Sequence, residues 1–186
     1  MINFLFRLLL AFNATSLILV VYLVKTHYVV GNIFPVLNNR LDFVSYLFYF
    51  IIPLLLTGFS LWISKWLDND SIEFKKNTSP IKEIEQANNA FLPSYLGYFF
   101  VALGVNDFET LIFIFAILFI FTFLSQTLYF NPLFLFFRYH FYYLTTNNNV
   151  RIFLISKRKL KLPNRLSFSN LKRINDYTFL DKEGDK

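Results

Sequence analysis

The chain has no cysteine, which removes disulfides, thiolate-held zinc and a cysteine nucleophile together. Histidine is almost as scarce: His27 and His140 are too few and too far apart in sequence to suggest a metal cluster. Charge is also short. Only 16% of residues are Asp, Glu, Lys or Arg, against about 25% in an ordinary soluble domain. The shortage is local, because 43–63 and 110–130 contain none of these four residues. There is no Gly-rich phosphate loop, no His-Glu-x-x-His, no G-x-S-x-G and no pair of carboxylates on one helix face. The expectation is a protein that is not an enzyme and holds no cofactor or metal.

What the chain has instead is apolar length, with 55% hydrophobic residues and 26 Phe. The 21 residues of 110–130, TLIFIFAILFIFTFLSQTLYF, would rise roughly 31 Å as a helix, the thickness of a bilayer's hydrocarbon core. A first span covers about 8–24, between Arg7 and Lys25. Its length, with no small-residue cleavage site after it, reads as an anchor rather than a signal peptide. Asn13, Thr15 and Ser16 lie inside it, on a face that can meet another helix. A second span covers 43–63. Pro53 predicts a kink there, with Thr57, Gly58 and Ser60 close behind. Trp62 and Trp66 mark its interfacial end.

The apolar stretch 91–105 has 15 residues, below the usual minimum of about 17. Fused with 110–130 it would make a helix about 60 Å long with Asp107 and Glu109 buried midway. A hairpin is expected instead, with Asn106 and Glu109 at the spacing of a capping box. Four spans would place 16 Lys and Arg on the side shared by the N-terminus, the 65–90 link and the tail. Lys25 and Arg40 alone would lie opposite. Without a crossing at 91–105 the division is 13 to 5, and the four-span division without the tail is 5 to 2. The positive-inside rule therefore favours four spans with both termini cytoplasmic.

The expected fold is a mainly α membrane protein. Residues 1–130 form a four-transmembrane-helix bundle with a cytoplasmic link at 65–90, and 131–186 form a small basic β-rich cytoplasmic module. In the link, Lys75, Lys76 and Lys82 alternate with Glu73, Glu83 and Glu85. Pro80 there can start a short surface helix, IKEIEQANNA, but its apolar content is low and a solvated linker is the first reading. In the tail, HFYYLTTNNNVRIFLIS carries β-branched and aromatic residues on both sides of Asn147, Asn148 and Asn149, a hairpin signal. Weaker strand candidates lie at 166–168 and 177–180. A module this small needs support from the link, from a copy of itself or from a partner.

The tail holds eleven Lys and Arg against four Asp and Glu, net +7. Its sharpest run is Lys157, Arg158, Lys159 and Lys161, extended by Arg165, Lys172 and Arg173. Such a run can hold anionic lipid headgroups, an acidic partner protein or nucleic-acid phosphates. Its place beside the membrane favours the first two. Ser94, Gly97 and Gly104 put small residues nearly on one face of the third span. They suit close helix packing, within the chain or between copies. His140, in RYHFYY, is read as a structural strand residue rather than a pH switch. None of the four spans contains Asp, Glu, Lys, Arg or His, which argues against proton-coupled transport and intramembrane proteolysis.

Three segments carry a resemblance. FNPLFLFFRYHFYYL (130–144), FLISKRKLKLP (153–163) and INDYTFLD (174–181) resemble the end of the membrane subunit of the Kiwa anti-phage defence system, the KwaA family. Overall length and span layout are similar as well. The resemblance implies a multi-pass sensor and scaffold in the bacterial inner membrane. It would assemble as a homo-oligomer and bind a KwaB-like cytoplasmic DNA-binding partner, without touching nucleic acid itself. No catalytic residue carries over. The rival reading is an oligomeric pore-forming or channel-like effector, because uncharged spans can line a pore gated by dewetting.

Overall fold

The computed structural model describes residues 2–29, 42–72, 81–90, 92–125, 131–163, 166 and 168–182. Four helices form its first layer: α1 (Ile2–Lys25), α2 (Asp42–Ile63), α3 (Leu92–Gly104) and α4 (Phe108–Ser125). Each expected apolar segment contains a helix, and among the described residues only α1, α2 and α4 are long and apolar enough to cross a bilayer. With 13 residues, α3 is not. Residues 126–130 of the expected last span lie outside the described residues. The first helix begins earlier than expected and takes Arg7 inside it, 5.3 Å from the centroid of the Phe123 ring.

Contacts at the helix ends fix their directions. Asn3 Nδ2 donates to Asp68 Oδ2 at 2.8 Å, which places the start of α1 beside the end of α2. At the far end, Lys25 Nζ donates to the Val105 carbonyl at 2.6 Å and to Asn106 Oδ1 at 3.1 Å. The His27 ring lies 3.1 Å from the Tyr46 hydroxyl at the start of α2. The helices therefore alternate up and down. The expected Asn106 cap is displaced by one residue: Asp107 Oδ1 accepts from the Thr110 amide at 2.7 Å and caps α4. A carboxylate is the better acceptor at a helix N-terminus, and that amide holds the Asp107 carboxyl below its ordinary pKa. Asn106 is left to receive Lys25.

Apolar residues surround α4 on all sides, and 11% of its span is buried within the chain. Phe113, Phe121 and Leu124 are among its exposed side chains. A helix hydrophobic all round and left uncovered is solvated by lipid or by another copy. Helix α2 continues through Pro53.

The second layer is a six-stranded sheet of β1 (Asn69–Ile72), β2 (Ile81–Gln86), β3 (His140–Thr146), β4 (Arg151–Ser156), β5 (Phe168–Arg173) and β6 (Thr178–Asp181). The strand order is β1-β5-β6-β4-β3-β2. Only the β4–β6 pairing is parallel. The β3–β4 hairpin turns on the three asparagines, with Asn149 left-handed at φ 57°, a conformation its side chain tolerates. The two weaker strand candidates correspond to β5, displaced toward its C-terminal side, and β6.

The link departs most from expectation. IKEIEQANNA does not form a surface helix; it is strand β2 followed by a turn. Its partner decides the matter. Glu83 to Gln86 pair in register with Tyr142 to Thr145 of β3, and Ile81 is 2% exposed. A ladder on a preformed hairpin outweighs the helix preference of a Glu- and Lys-rich segment. The two link strands take the two edges of the sheet, and the four tail strands fill the space between. The link is thus the support that the tail finds within the chain.

Both faces of the sheet are covered. One packs on the helix ends, where Phe6, Leu10 and Leu61 meet Phe141, Ile155 and Leu180. On the other, Leu144, Leu154, Phe168 and Phe179 lie under Leu160 and Leu166 of the β4–β5 connection.

Candidate functional site at the helix–sheet junction

The chain does not pass straight from α4 into the sheet. At the sheet end of α4, Phe123 meets Phe4 with ring centroids 5.4 Å apart. Asn131 nevertheless lies back at mid-height of the bundle, beside Asn13. A single helical turn, α5 (Leu133–Phe136), then descends again. Leu133 is buried with Leu17 and Tyr95, and Phe134 with Phe6, Leu10 and Phe141. Arg138, at φ 62°, turns the chain from α5 into β3. The segment is a wedge, and it sits where α3 is too short. Tyr95, in the first turn of α3, already reaches the Ala14 carbonyl at mid-height, at 2.8 Å. The wedge also grips α2: a Cβ on Gly58 would lie 3.3 Å from the Phe137 ring, so glycine allows the close approach.

A buried polar node holds the wedge. Asn13, Thr57 and Asn131 are each 1% exposed or less. The Asn13 amide and the Thr57 hydroxyl are 2.6 Å apart. In the orientation that satisfies both ends of the amide, Asn13 Nδ2 donates to the Pro53 carbonyl at 3.1 Å. Its Oδ1 then accepts from Asn131 Nδ2 at 3.0 Å. Asn131 Oδ1 in turn accepts from the Leu133 amide at 2.9 Å and starts the wedge. Buried amides away from water cost free energy unless every end is paired. This trio therefore fixes one relative position of α1, α2 and the entrance to the sheet. Of the polar residues foreseen inside the first span, Asn13 alone does this. Thr15 and Ser16 bond to carbonyls of their own helix.

The basic residues fall into two groups. Arg158 is structural: its Nε donates to Asp181 Oδ2 at 2.7 Å, its guanidinium carbon lies 4.6 Å from the Phe168 ring centroid, and the Asp181 side chain is fully buried. Ser156 Oγ donates to the same carboxylate oxygen at 2.7 Å. Lys172 is tied to the Leu67 carbonyl at 2.9 Å and to Asn69 Oδ1 at 2.6 Å, and Arg173 pairs with Asp176. Lys157 leans over Tyr139, 5.0 Å from the ring centroid. Lys159 and Lys161 are exposed and rim a cavity of about 300 Å³ with His140 and Tyr142. Burial pushes the Tyr142 phenol above its ordinary pKa. His140 is held beside Asn88, 3.0 Å away. Arg165 lies outside the described residues.

The small-residue face turns away from the chain's own helices. Gly97 and Gly104 have open space where a Cβ would go, and Ser94 is half-buried. The side chains that α3 buries are Tyr95 and Ala102. Gly97→Ala should therefore raise the stability of the single chain by up to about 1 kcal/mol through helix propensity alone. Thermal melting in detergent measures this; a fall would mean that the glycine faces a tight contact.

Asn13 and Thr57 were visible as polar residues inside apolar spans, whereas Asn131 falls just past the last expected span and the pairing of the three was not visible. Among the described residues no group of three His, Asp or Glu is placed to hold a metal. A family model described as anti-phage protein KwaA matches residues 6–180. No curated protein and no solved structure matches the chain.

Proposed function

The chain belongs to the KwaA family of anti-phage proteins, and from that premise we propose that it is the membrane sensor and scaffold of a defence complex. It sits in the bacterial inner membrane with both termini cytoplasmic, assembles with copies of itself, and passes disturbance of the envelope to a cytoplasmic DNA-binding partner. Its part is mechanical, with no catalysis of its own. The observation that carries this reading is the Asn13–Thr57–Asn131 node. A shift of α1 against α2 breaks or re-pairs buried hydrogen bonds at the residue that leads into the sheet. Packed interfaces of this kind switch between discrete arrangements rather than deforming smoothly. The link adds a second route, because α2 runs into one edge strand of the sheet and α3 follows from the other.

In this proposal α3 and α4 form the second hairpin, and the wedge completes the column that α3 begins. Lys159 and Lys161, exposed on the sheet, are the contact for an acidic surface of the partner; Arg158 and Lys172 hold the sheet itself. Lys159→Glu with Lys161→Glu should lower partner co-purification roughly tenfold through unfavourable charge at the rim, with insertion and melting unchanged. Protection against phage should fall with it. Undiminished co-purification and protection would refute the assignment of these lysines.

The channel reading draws on the uncovered surface of α4. Forced expression without the partner separates the two: a sensor leaves membrane potential intact, and a pore collapses it.

A further inference from the structure

A groove with a volume of about 470 Å³ opens where the helices meet the sheet. Lys65, Lys157 and Lys182 line it, from three separate parts of the chain. Lys157 Nζ and Lys182 Nζ converge on one ring, 5.0 Å and 6.0 Å from the Tyr139 centroid. Lys182 also donates to the Leu61 carbonyl at 3.2 Å, near the C-terminal end of α2. No carboxylate lines the groove among the described residues. Asp181, next to Lys182, is turned to Arg158 and Ser156 instead.

The groove's position names its occupant. Trp62, half exposed, forms part of the wall at the point where α2 ceases to be apolar. Phe59 stacks on Trp62 with centroids 5.8 Å apart, and exposed Leu55 lies one turn further along α2. The cationic groove therefore continues into the lipid-facing surface of a spanning helix. A ligand with an anionic head and an apolar tail fits both parts at once; a free anion or an acidic peptide would use only the first.

We propose that this groove binds an anionic phospholipid. Its phosphate sits among Lys65, Lys157 and Lys182 over Tyr139, its glycerol lies at Trp62, and an acyl chain follows Phe59 and Leu55. A zwitterionic headgroup would bring its own ammonium among three lysines, so the site prefers a headgroup with net negative charge. The bound lipid also touches Phe137, at the exit of the wedge. Occupancy thereby braces the segment that joins the node to β3. This rests only on the helices lying in a membrane, not on the identity of any partner.

The chain's two tryptophans supply the test. Trp66 packs on Trp62 with centroids 4.7 Å apart, so Trp66→Phe removes the neighbouring signal and leaves Trp62 as sole reporter. The full chain carrying this change is placed in phosphatidylcholine vesicles doped with brominated phosphatidylglycerol or brominated phosphatidylcholine. Brominated phosphatidylglycerol should quench Trp62 at the lower doping. Lys65→Gln, Lys157→Gln and Lys182→Gln should each cut that preference about fivefold. The corresponding Arg variants and Lys159→Gln should keep it. Equal quenching by the two lipids would overturn the proposal, as would a preference that survives all three Gln changes together. Loss of the preference in excess inorganic phosphate would make the groove a free-anion site and overturn the lipid assignment.

Discussion

Asn131→Leu should leave the chain inserted in the membrane and abolish protection against phage. The substitution removes the donor to Asn13 Oδ1 and the acceptor of the Leu133 amide. Each buried group left unpaired costs about 1–3 kcal/mol, so the junction loosens while the lipid-facing surface that drives insertion is untouched. Melting in detergent should fall by roughly 5–15 °C. The decisive measurement is a double-mutant cycle with Asn13→Leu. Residues in one network are not additive, and replacing both amides removes the unpaired ends that each single change leaves on the other. Asn13→Leu with Asn131→Leu should therefore cost clearly less than the sum of the single changes. Strict additivity would show that the two amides do not act together, and the coupling route proposed for this junction would fail.

Arg158→Met should be the most destabilising single change among the basic residues. It strips the cation from a carboxylate whose side chain is fully buried. Breaking a buried pair from one side costs about 3–5 kcal/mol in general. The lower end applies here, because 29% of the arginine side chain is exposed and water reaches the pair. Asp181→Leu added to Arg158→Met should recover much of the loss, since no buried charge then remains. Chemical denaturation followed by tyrosine environment in the sheet reads both variants. If Arg158→Met melts as the unaltered chain does, the pair is ornamental and Arg158 returns to the contact surface. The contrast with Lys159 and Lys161 separates the two roles: under the proposed function those variants should lose the partner with the sheet intact, whereas Arg158 variants should lose the sheet.

The parts of the fold legible in sequence were those set by local pattern. The charge-free runs announced helices, and β-branched residues around Asn147, Asn148 and Asn149 announced the β3–β4 hairpin. What stayed hidden depended on partners distant in sequence. Segment 81–86 looks helical by itself and becomes a strand because β3 offers it a ladder. Arg158 reads as one cation in a run until Asp181, 23 residues on, folds beneath it. The helix cap moved by one residue because the Asp107 carboxylate takes the Thr110 amide, which leaves Asn106 to Lys25 from the other hairpin. The wedge had little local signature: after Asn131 and Pro132 the segment LFLFF is apolar, and only the short α3 above it makes room for the turn. The resemblance located in 130–144, 153–163 and 174–181 pointed to the family that matches residues 6–180.

The strand order also governs how the protein is made. The ribosome delivers β1 and β2 early, before α3 and α4, yet in the finished sheet these two are the outer strands. The neighbour of β1 is β5, and Asn69 must wait for Lys172 to pair. Both α3 and α4 are therefore synthesised while β1 still lacks its partner. Contacts between residues so far apart in sequence form slowly, and an unpaired strand is a site for mispairing. Closure of the sheet becomes a late checkpoint on biogenesis. A nascent chain stalled before residue 168 would carry helices α1 to α5 and no finished sheet, with its strand edges open to mispairing.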